Sequence, residues 1–524
     1  MRLPLSLAVL LALAAPLQAA FLIFPDSSEV ELKGDTKSAY ESYKEGNFAD
    51  AIRIFRAEAG RGDKDAMFAL GRIYEEGRAI EGSMPMAENW YRKSAQAGHG
   101  SAQFNLGALL LNSADKAAEG LDWMVKAGDR GYSRAMLVLG SLYANGQGVK
   151  QNAAEAKKWL EKAVGAGEPE AYDLLGQMYA NGTGVEKRTT SAMEMFENAA
   201  KLDFIPSMLK LAVIYLNGVE GVTKDSAKAL DWFRRAAEKG NTEAIVALGA
   251  IHEQGNSVEK NPNESYKWYL KAAEAGDVTG ITKTAMMLAE GVGTAKDEKK
   301  AMEWYLKAAE KGGAHAMYAI SGMYEKGAGV VVSPKETLRW TVRAALSGMP
   351  QAMRDMGKRY RVGKDVNKDT IAAQSWFLRA AQSGDPESAI TVSDILIAGE
   401  GGLPPDPKAA KSILTRAAEL GMMEAQLKLA DYYEKGLVGR PDLIRAYALL
   451  LATRENETGR KALEALEKKM TKEQIAQGRK EYERIKEVPK VTNAPADGAP
   501  PSGALDAKTE APAAEADGAS KKTP

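Results

Sequence analysis

The sequence predicts an all-α fold, a linear stack of helical hairpins each about 36 residues long, and three periodic features predict it. The eight tryptophans stand at Trp90, Trp123, Trp159, Trp232, Trp268, Trp304, Trp340 and Trp376. Five of the seven intervals are 36 residues, one is 33, and one that skips Met195 is 73. Carried outwards, the register meets Ile54, Ile413 and Leu449, all apolar. Eight residues after the positions from Ile54 to Ile413 comes a glycine: Gly62, Gly98, Gly131, Gly167, Gly240, Gly276, Gly312, Gly348, Gly384 and Gly421, with Asp203 the departure. Helices commonly end on a left-handed residue, which glycine adopts without a Cβ clash, so a helix stop recurs in phase. A further four residues on sits a small residue such as Ala66, Ala135 or Ala244. Leu70-Gly71, Leu139-Gly140 or Leu248-Gly249 follows it, and then an aromatic such as Tyr74, Tyr143 or Tyr179. Ala, Leu and Tyr at intervals of four line one face of a helix.

Each unit therefore has two helices. The first, the A helix, carries Ala-x-x-x-Leu-Gly-x-x-Tyr; the second, the B helix, carries the pattern plain in Ala301 to Gly312. Between them lies a turn such as Asn181-Gly182-Thr183-Gly184-Val185, whose glycines supply positive φ. Neither helix can bury its apolar face alone, so the units must stack. Twelve pairs fit between residues 36 and 455. The tryptophans are expected in the core, where truncating Trp304 to Ala would cost about 3–5 kcal/mol.

Before the array, Arg2 is the only early charge and Leu3 to Leu17 is apolar apart from small and proline positions. Leu17-Gln18-Ala19 then offers a small residue for cleavage. Residues 1–19 read as an export signal, because the apolar run is shorter than the ~20 residues a spanning helix needs. Residues 20–35 form a leader, and 36–454 the repeats. After Leu449 the pattern changes: Leu463, Leu466 and Met470 stripe a charged helix, and Thr471 with Gln474 has capping-box spacing for another. Residues 455–487 read as a helical end cap. The Ala- and Pro-rich stretch 488–524 has almost nothing to bury and is expected to be disordered.

Composition narrows the partners. Lys plus Arg and Asp plus Glu both number 70, so there is no surplus positive charge for phosphate neutralisation and no nucleic-acid partner is expected. The absence of cysteine removes disulfides, thiolate metal sites and a lipid-anchored Cys. Disulfide-free export suits a bacterial periplasm or the extracellular space, with no membrane span in the mature chain.

Ala-Met-Glu-Trp-Tyr-Leu-Lys-Ala-Ala-Glu-Lys-Gly at 301–312 and Tyr179-Ala-Asn-Gly-Thr-Gly-Val185 resemble the Sel-one-like repeat family, a branch of the tetratricopeptide-like superfamily. The resemblance implies a right-handed α/α superhelical solenoid whose first helices line a concave groove. It also implies adaptor work between proteins. Some members are cysteine-rich and linked to β-lactam binding, which this Cys-free chain fits poorly. Envelope regulators and scaffolds for exopolysaccharide secretion fit it better.

The chemistry-bearing residues are few. His99, His252 and His315 share no repeat offset and no ligand spacing; His252 replaces the helical Tyr and is expected to pack, the other two to lie on the surface. No zinc-protease motif, P-loop or nucleophile elbow is present. No metal or cofactor is expected, and the reading is non-enzymatic. If the A helices line a groove, its inward positions include Phe68, Phe104, Leu111, Leu137, Leu209, Val213, Leu216, Val246 and Met286. Apolar residues at exposed positions would make a binding surface; packing between helices is the alternative. Arg354, Lys358 and Arg361 occupy the same positions further on, with Arg359 and Lys364 nearby. They could grip an acidic segment or an anionic glycan, or form a solvated face. A polysaccharide or peptidoglycan fragment is thus the second candidate partner after protein. Departures from the pattern gather around Asp203 to Pro206 and at Gly280, Thr284, Ala285 and Leu288, which marks either drift or a change of curvature near the middle.

Overall fold

A computed structural model describes residues 34–113, 115–255, 258–402 and 404–487. The signal segment 1–19, the leader up to residue 33 and the tail 488–524 lie outside the described residues. Among the described residues there are 26 α-helices and no strand, only an isolated bridge between Val219 and Val222. The chain is an all-α solenoid whose helices form two compact units, divided between Asp277 and Val278. The first unit holds seven helix pairs, from Gly34–Lys44 with Phe48–Gly60 to Thr242–Gln254 with Pro262–Glu274. The second holds five, from Val278–Glu290 with Glu298–Glu310 to Met423–Lys435 with Leu443–Ala452, then Glu457–Glu467 and Lys472–Glu487. Gly34 and Asp35, at the end of the expected leader, belong to the first helix.

The hairpin is set by its turn. Most B helices open on a side-chain cap: the carboxylates of Asp225, Asp297, Asp369, Asp406 and Asp442 each accept a backbone N–H three residues on. The backbone N–H of the same residue donates back to the A helix, as Asp225 does to the Tyr215 carbonyl at 2.8 Å and Asp369 to the Tyr360 carbonyl at 2.9 Å. One residue thus starts the B helix and ties it to the end of the A helix. The two longer units place their extra residue in this turn, as the Val219–Val222 bridge in one and a single 3-10 turn at Glu400–Gly402 in the other.

The glycines that close the B helices all have positive φ, as their phase predicts. Asp203, which breaks the series, takes the same conformation, with φ 63°. The backbone geometry is therefore common to all eleven positions, and only the residue type changes.

Packing inside a hairpin centres on the residue that follows the tryptophan position. A Cβ added at Gly249 would lie 2.7 Å from the Tyr269 ring, and one at Gly357 2.8 Å from the Phe377 ring. The Leu-Gly glycine exists to seat that ring against the A helix. In the shortened unit the approach is between backbones instead: a Cβ on Gly107 would lie 2.9 Å from the Gly120 carbonyl oxygen.

The tryptophans are not the innermost residues, which corrects the expectation for Trp304. Tyr269 and Phe377 are each 1% exposed, whereas Trp304 is half-buried, and of the eight tryptophans only Trp159 and Trp340 are buried. Every one lies beneath the cation three residues on, at 4.0 Å for Lys162 over Trp159, 4.1 Å for Lys307 over Trp304 and 5.1 Å for Arg379 over Trp376. The ring of Trp159 rests on the preceding B helix, 2.9 Å from where a Gly128 Cβ would stand. The tryptophan there wedges between successive B helices, with Lys162 covering its ring.

At the C-terminal end the capping box forms. The Thr471 N–H donates to Gln474 Oε1 at 2.9 Å, and the Gln474 N–H donates to Thr471 Oγ1 at 3.3 Å. The helix it starts packs Gly478 on the Tyr447 ring, and Leu463 and Leu466 are buried beside it.

Candidate binding surface

The orientation of each A helix follows from its glycine. That residue, one after the Leu position, faces the B helix, and successive residues rotate by about 100°. Positions one before and six after Leu therefore point away from the B helix, about 160° and 140° from the glycine, and the position two after stands at their edge, about 100° round. They make up an A face, while the position two before Leu turns towards the neighbouring repeat.

This geometry corrects the apolar part of the expected groove. Phe68 is 1% exposed. It stacks on His99 at 4.5 Å and tilts against Tyr91 at 5.8 Å. Phe104 is buried against Tyr132, and Leu137, Leu209 and Leu216 are buried too. These side chains glue one hairpin to the next and are not offered to a partner. Val213 and Val246 are half-buried on the first unit's core, Leu111 likewise, and Met286 is half-buried in the second unit.

The basic part is corrected by its partners. Arg354 bonds Asp385 at 2.8 Å and Glu387 at 3.0 Å; Lys358 bonds Glu387 at 2.7 Å; Arg361 bonds Glu400 at 2.6 Å. Arg359 pairs with Asp365, and Lys364 lies 3.5 Å from Glu325. The Lys358 ammonium holds the Glu387 carboxyl below the usual carboxylate range. Cations of the helix Pro350–Val362 lie against Asp385, Glu387 and Glu400, in and beside the helix Pro386–Ala398, so these charges are paired within the second unit.

Three features escaped the sequence reading. Asp173, at the position two before Leu, is buried with Lys210 of the next repeat. Lys210 Nζ donates to both Asp173 oxygens at 2.7 and 2.5 Å, Ser207 Oγ donates at 2.6 Å, and Gln177 Nε2 at 2.7 Å. Tyr318 and Tyr432 also reach between repeats, donating to Asp355 at 2.7 Å and Asp394 at 2.5 Å. Burial, helped by the Asp355 bond, pushes the Tyr318 hydroxyl up to about 12. His99, expected on the surface, is buried. Its Nδ1 accepts the Ala102 N–H at 3.1 Å as a helix cap, and its Nε2 lies 3.1 Å from Asp65 Oδ1. The signal for Asp173, Tyr318 and Tyr432 was a polar residue at a mostly apolar repeat position, whereas His99 stands at a cap position that Asp63 and Asn241 fill in other repeats.

His252 packs as expected, and His315 is exposed. Burial pushes the His252 imidazole below its ordinary value of 6.5. Below that value the unfolded chain binds a proton that the folded chain refuses, so the fold loses stability as pH drops through the unfolded value towards the depressed one. His252→Tyr, which restores the residue usual at this position, should flatten that acid loss. Urea titrations from pH 7.5 to 5 would show it, and an unchanged slope in the variant would refute the assignment. Among the described residues no group of three or more His, Asp or Glu side chains is placed to hold a metal ion, and no helix is long and apolar enough to cross a membrane.

Comparison with known proteins gives a consistent family. The model of the Sel1 repeat matches eleven segments: residues 64–99, 100–132, 133–167, 169–204, 205–241, 242–277, 280–313, 314–349, 350–385, 392–422 and 424–452. No curated protein matches the chain. Among solved structures, a protective antigen of uropathogenic Escherichia coli with an SLR fold is 26% identical, with a TM-score of 0.48, covering 86% of this chain and 99% of that one. A Sel1 repeat protein from Oxalobacter formigenes is 27% identical, with a TM-score of 0.40, covering 72% of this chain and 90% of that one.

Proposed function

The chain belongs to the Sel1 repeat family, and from that premise we propose that it is a non-enzymatic scaffold that holds a protein partner on the A face of its first unit. We place it outside the cytoplasm, delivered by residues 1–19, where it serves envelope assembly or regulation. One observation carries the reading: between residues 100 and 217 the A face presents half-buried apolar and amide side chains and its charges are paired, Lys210 with Asp173 and Arg134 with Glu170, whereas the second unit carries ionic clusters at Arg354, Lys358 and Arg361. A repeat array suits this work because each hairpin adds contact surface without altering the others. The pairing of Arg354, Lys358 and Arg361 leaves no basis for an anionic glycan there.

Affinity purification of the tagged chain from its own cell envelope tests the reading. A protein recovered at fixed stoichiometry supports the scaffold. Retention on isolated glycan with no accompanying protein would overturn it.

A further inference from the structure

The turns between A and B helices in the second unit carry aliphatic side chains where the repeat elsewhere carries polar ones. Val331 is 86% exposed, Val362 70%, Ile371 58% and Val332 56%. Val332 lies over its turn glycine, Gly327, as Lys187, Lys260, Lys296 and Lys368 lie over theirs. Val362 is the last residue of its A helix, a place held by Glu76, Glu290, Lys326 and Lys435 in other repeats. Ile371, the second residue of its B helix, stands where Lys299 and Lys335 do. These turns share one edge of the unit, because each rests on the start of the preceding B helix. A Cβ on Gly329 would lie 2.7 Å from the Glu298 carbonyl oxygen, and Gly401 lies against Thr370. Asp365 takes the corresponding place between them with φ 60° against 71° for Gly329, so the turns 291–297, 327–333 and 363–369 run side by side.

Lysines flank the aliphatic tips. Lys299, Lys326, Lys335 and Lys368 are exposed, with no carboxylate in salt-bridge reach among the described residues. The neighbouring carboxylates are engaged: Glu298 with Lys296, Glu325 with Lys364, Glu336 with Arg339 and Asp365 with Arg359. Asp297 and Asp369 cap B helices, which leaves Glu290 as the counter-charge to four lysines.

We propose that this edge of the second unit docks on an anionic lipid surface, with Val331, Val332, Val362 and Ile371 entering the interface and the four lysines level with the headgroup phosphates. The inference goes beyond the scaffold reading and does not depend on it. Exposed aliphatic side chains gain by leaving water. Lysine stems can follow the apolar tips inwards while the ammonium groups stay among the headgroups, and each such charge strengthens binding to a negative membrane surface. A protein partner matches this edge less well. Protein interfaces are depleted in lysine and gather aromatic residues and arginine, and neither occurs in residues 290–299, 326–335 or 362–371. A second copy of the chain matches it no better, because a two-fold contact would set these lysines against themselves.

The chain has no cysteine, so an environment-sensitive fluorophore on Val331→Cys in the full chain reports one position. Vesicles of phosphatidylglycerol and phosphatidylethanolamine should shift its emission to the blue, and vesicles of phosphatidylcholine should not. The same label on Leu346→Cys, 68% exposed at the opposite end of the helix Pro334–Leu346, should stay unshifted with both. Lys326→Gln/Lys335→Gln/Lys368→Gln should weaken binding to the anionic vesicles about 100-fold, the usual worth of three lysines at such a surface. Val332→Ser/Val362→Ser/Ile371→Ser should weaken it about tenfold. All six side chains are exposed, and circular dichroism checks that both variants keep their helices. A shift at position 346 and not at 331, equal shifts with the two kinds of vesicle, or full affinity in both variants would overturn the inference. So would a shift at 331 that grows with protein concentration in the absence of vesicles, the mark of a second copy. No shift under any condition also overturns it and leaves the scaffold standing, since the envelope purification tests that separately.

Discussion

Phe377→Ala should destabilise the second unit by about 3–5 kcal/mol, while Trp376→Ala, one residue earlier, should cost about 1–2 kcal/mol. The phenylalanine is 1% exposed, and its ring fills the place opened by Gly357 on the partner helix of its own hairpin. Removing it leaves a cavity between two helices that cannot collapse, because the Asp369 N–H to Tyr360 carbonyl bond fixes their spacing. The tryptophan is half-buried, and part of its loss is the contact with Arg379 at 5.1 Å, worth about 0.5–1 kcal/mol at such a site. Because a repeat array can unfold in pieces, the comparison is best read by hydrogen exchange in the helix Thr370–Gln382. Equal protection loss in the two variants would mean that the tryptophan register is the core after all.

Lys210→Met should cost about 3–5 kcal/mol, an effect as large as losing a core aromatic. The substitution strands Asp173 in the interface between two repeats with only the neutral donors Ser207 and Gln177. Asp173→Leu combined with Lys210→Met should recover most of that loss, since a buried ion pair replaced by apolar side chains is commonly close to neutral. Urea unfolding of the single and double variants decides it. A double variant no more stable than Lys210→Met alone would show that the pair contributes more than the removal of its own desolvation cost.

The fold was legible because its determinants repeat. Ten glycines in one phase announce helix ends whatever the sequence between them, and even Asp203 obeys the geometry that the glycines imply. The rank of residues within the core was less legible. Tryptophan is the rarer letter and marks the register, but its ring is too large to sit where the small A-helix glycine admits a phenylalanine or tyrosine. The surface was the least legible part. Phe68 and Phe104 stand where an isolated helix would expose them, and the neighbouring repeat completes their burial. Arg354 and Glu387 are 33 positions apart, and no local pattern reveals that they meet.

Photo-crosslinking in living cells tests the central claim most directly. A photoreactive residue is placed at Ser141 on the A face, or at Glu161 on the exposed side of the B helix Ala153–Gly165. A discrete adduct with one protein from position 141 and none from 161 is the predicted result. Adducts confined to position 161, or none from either, would contradict the account.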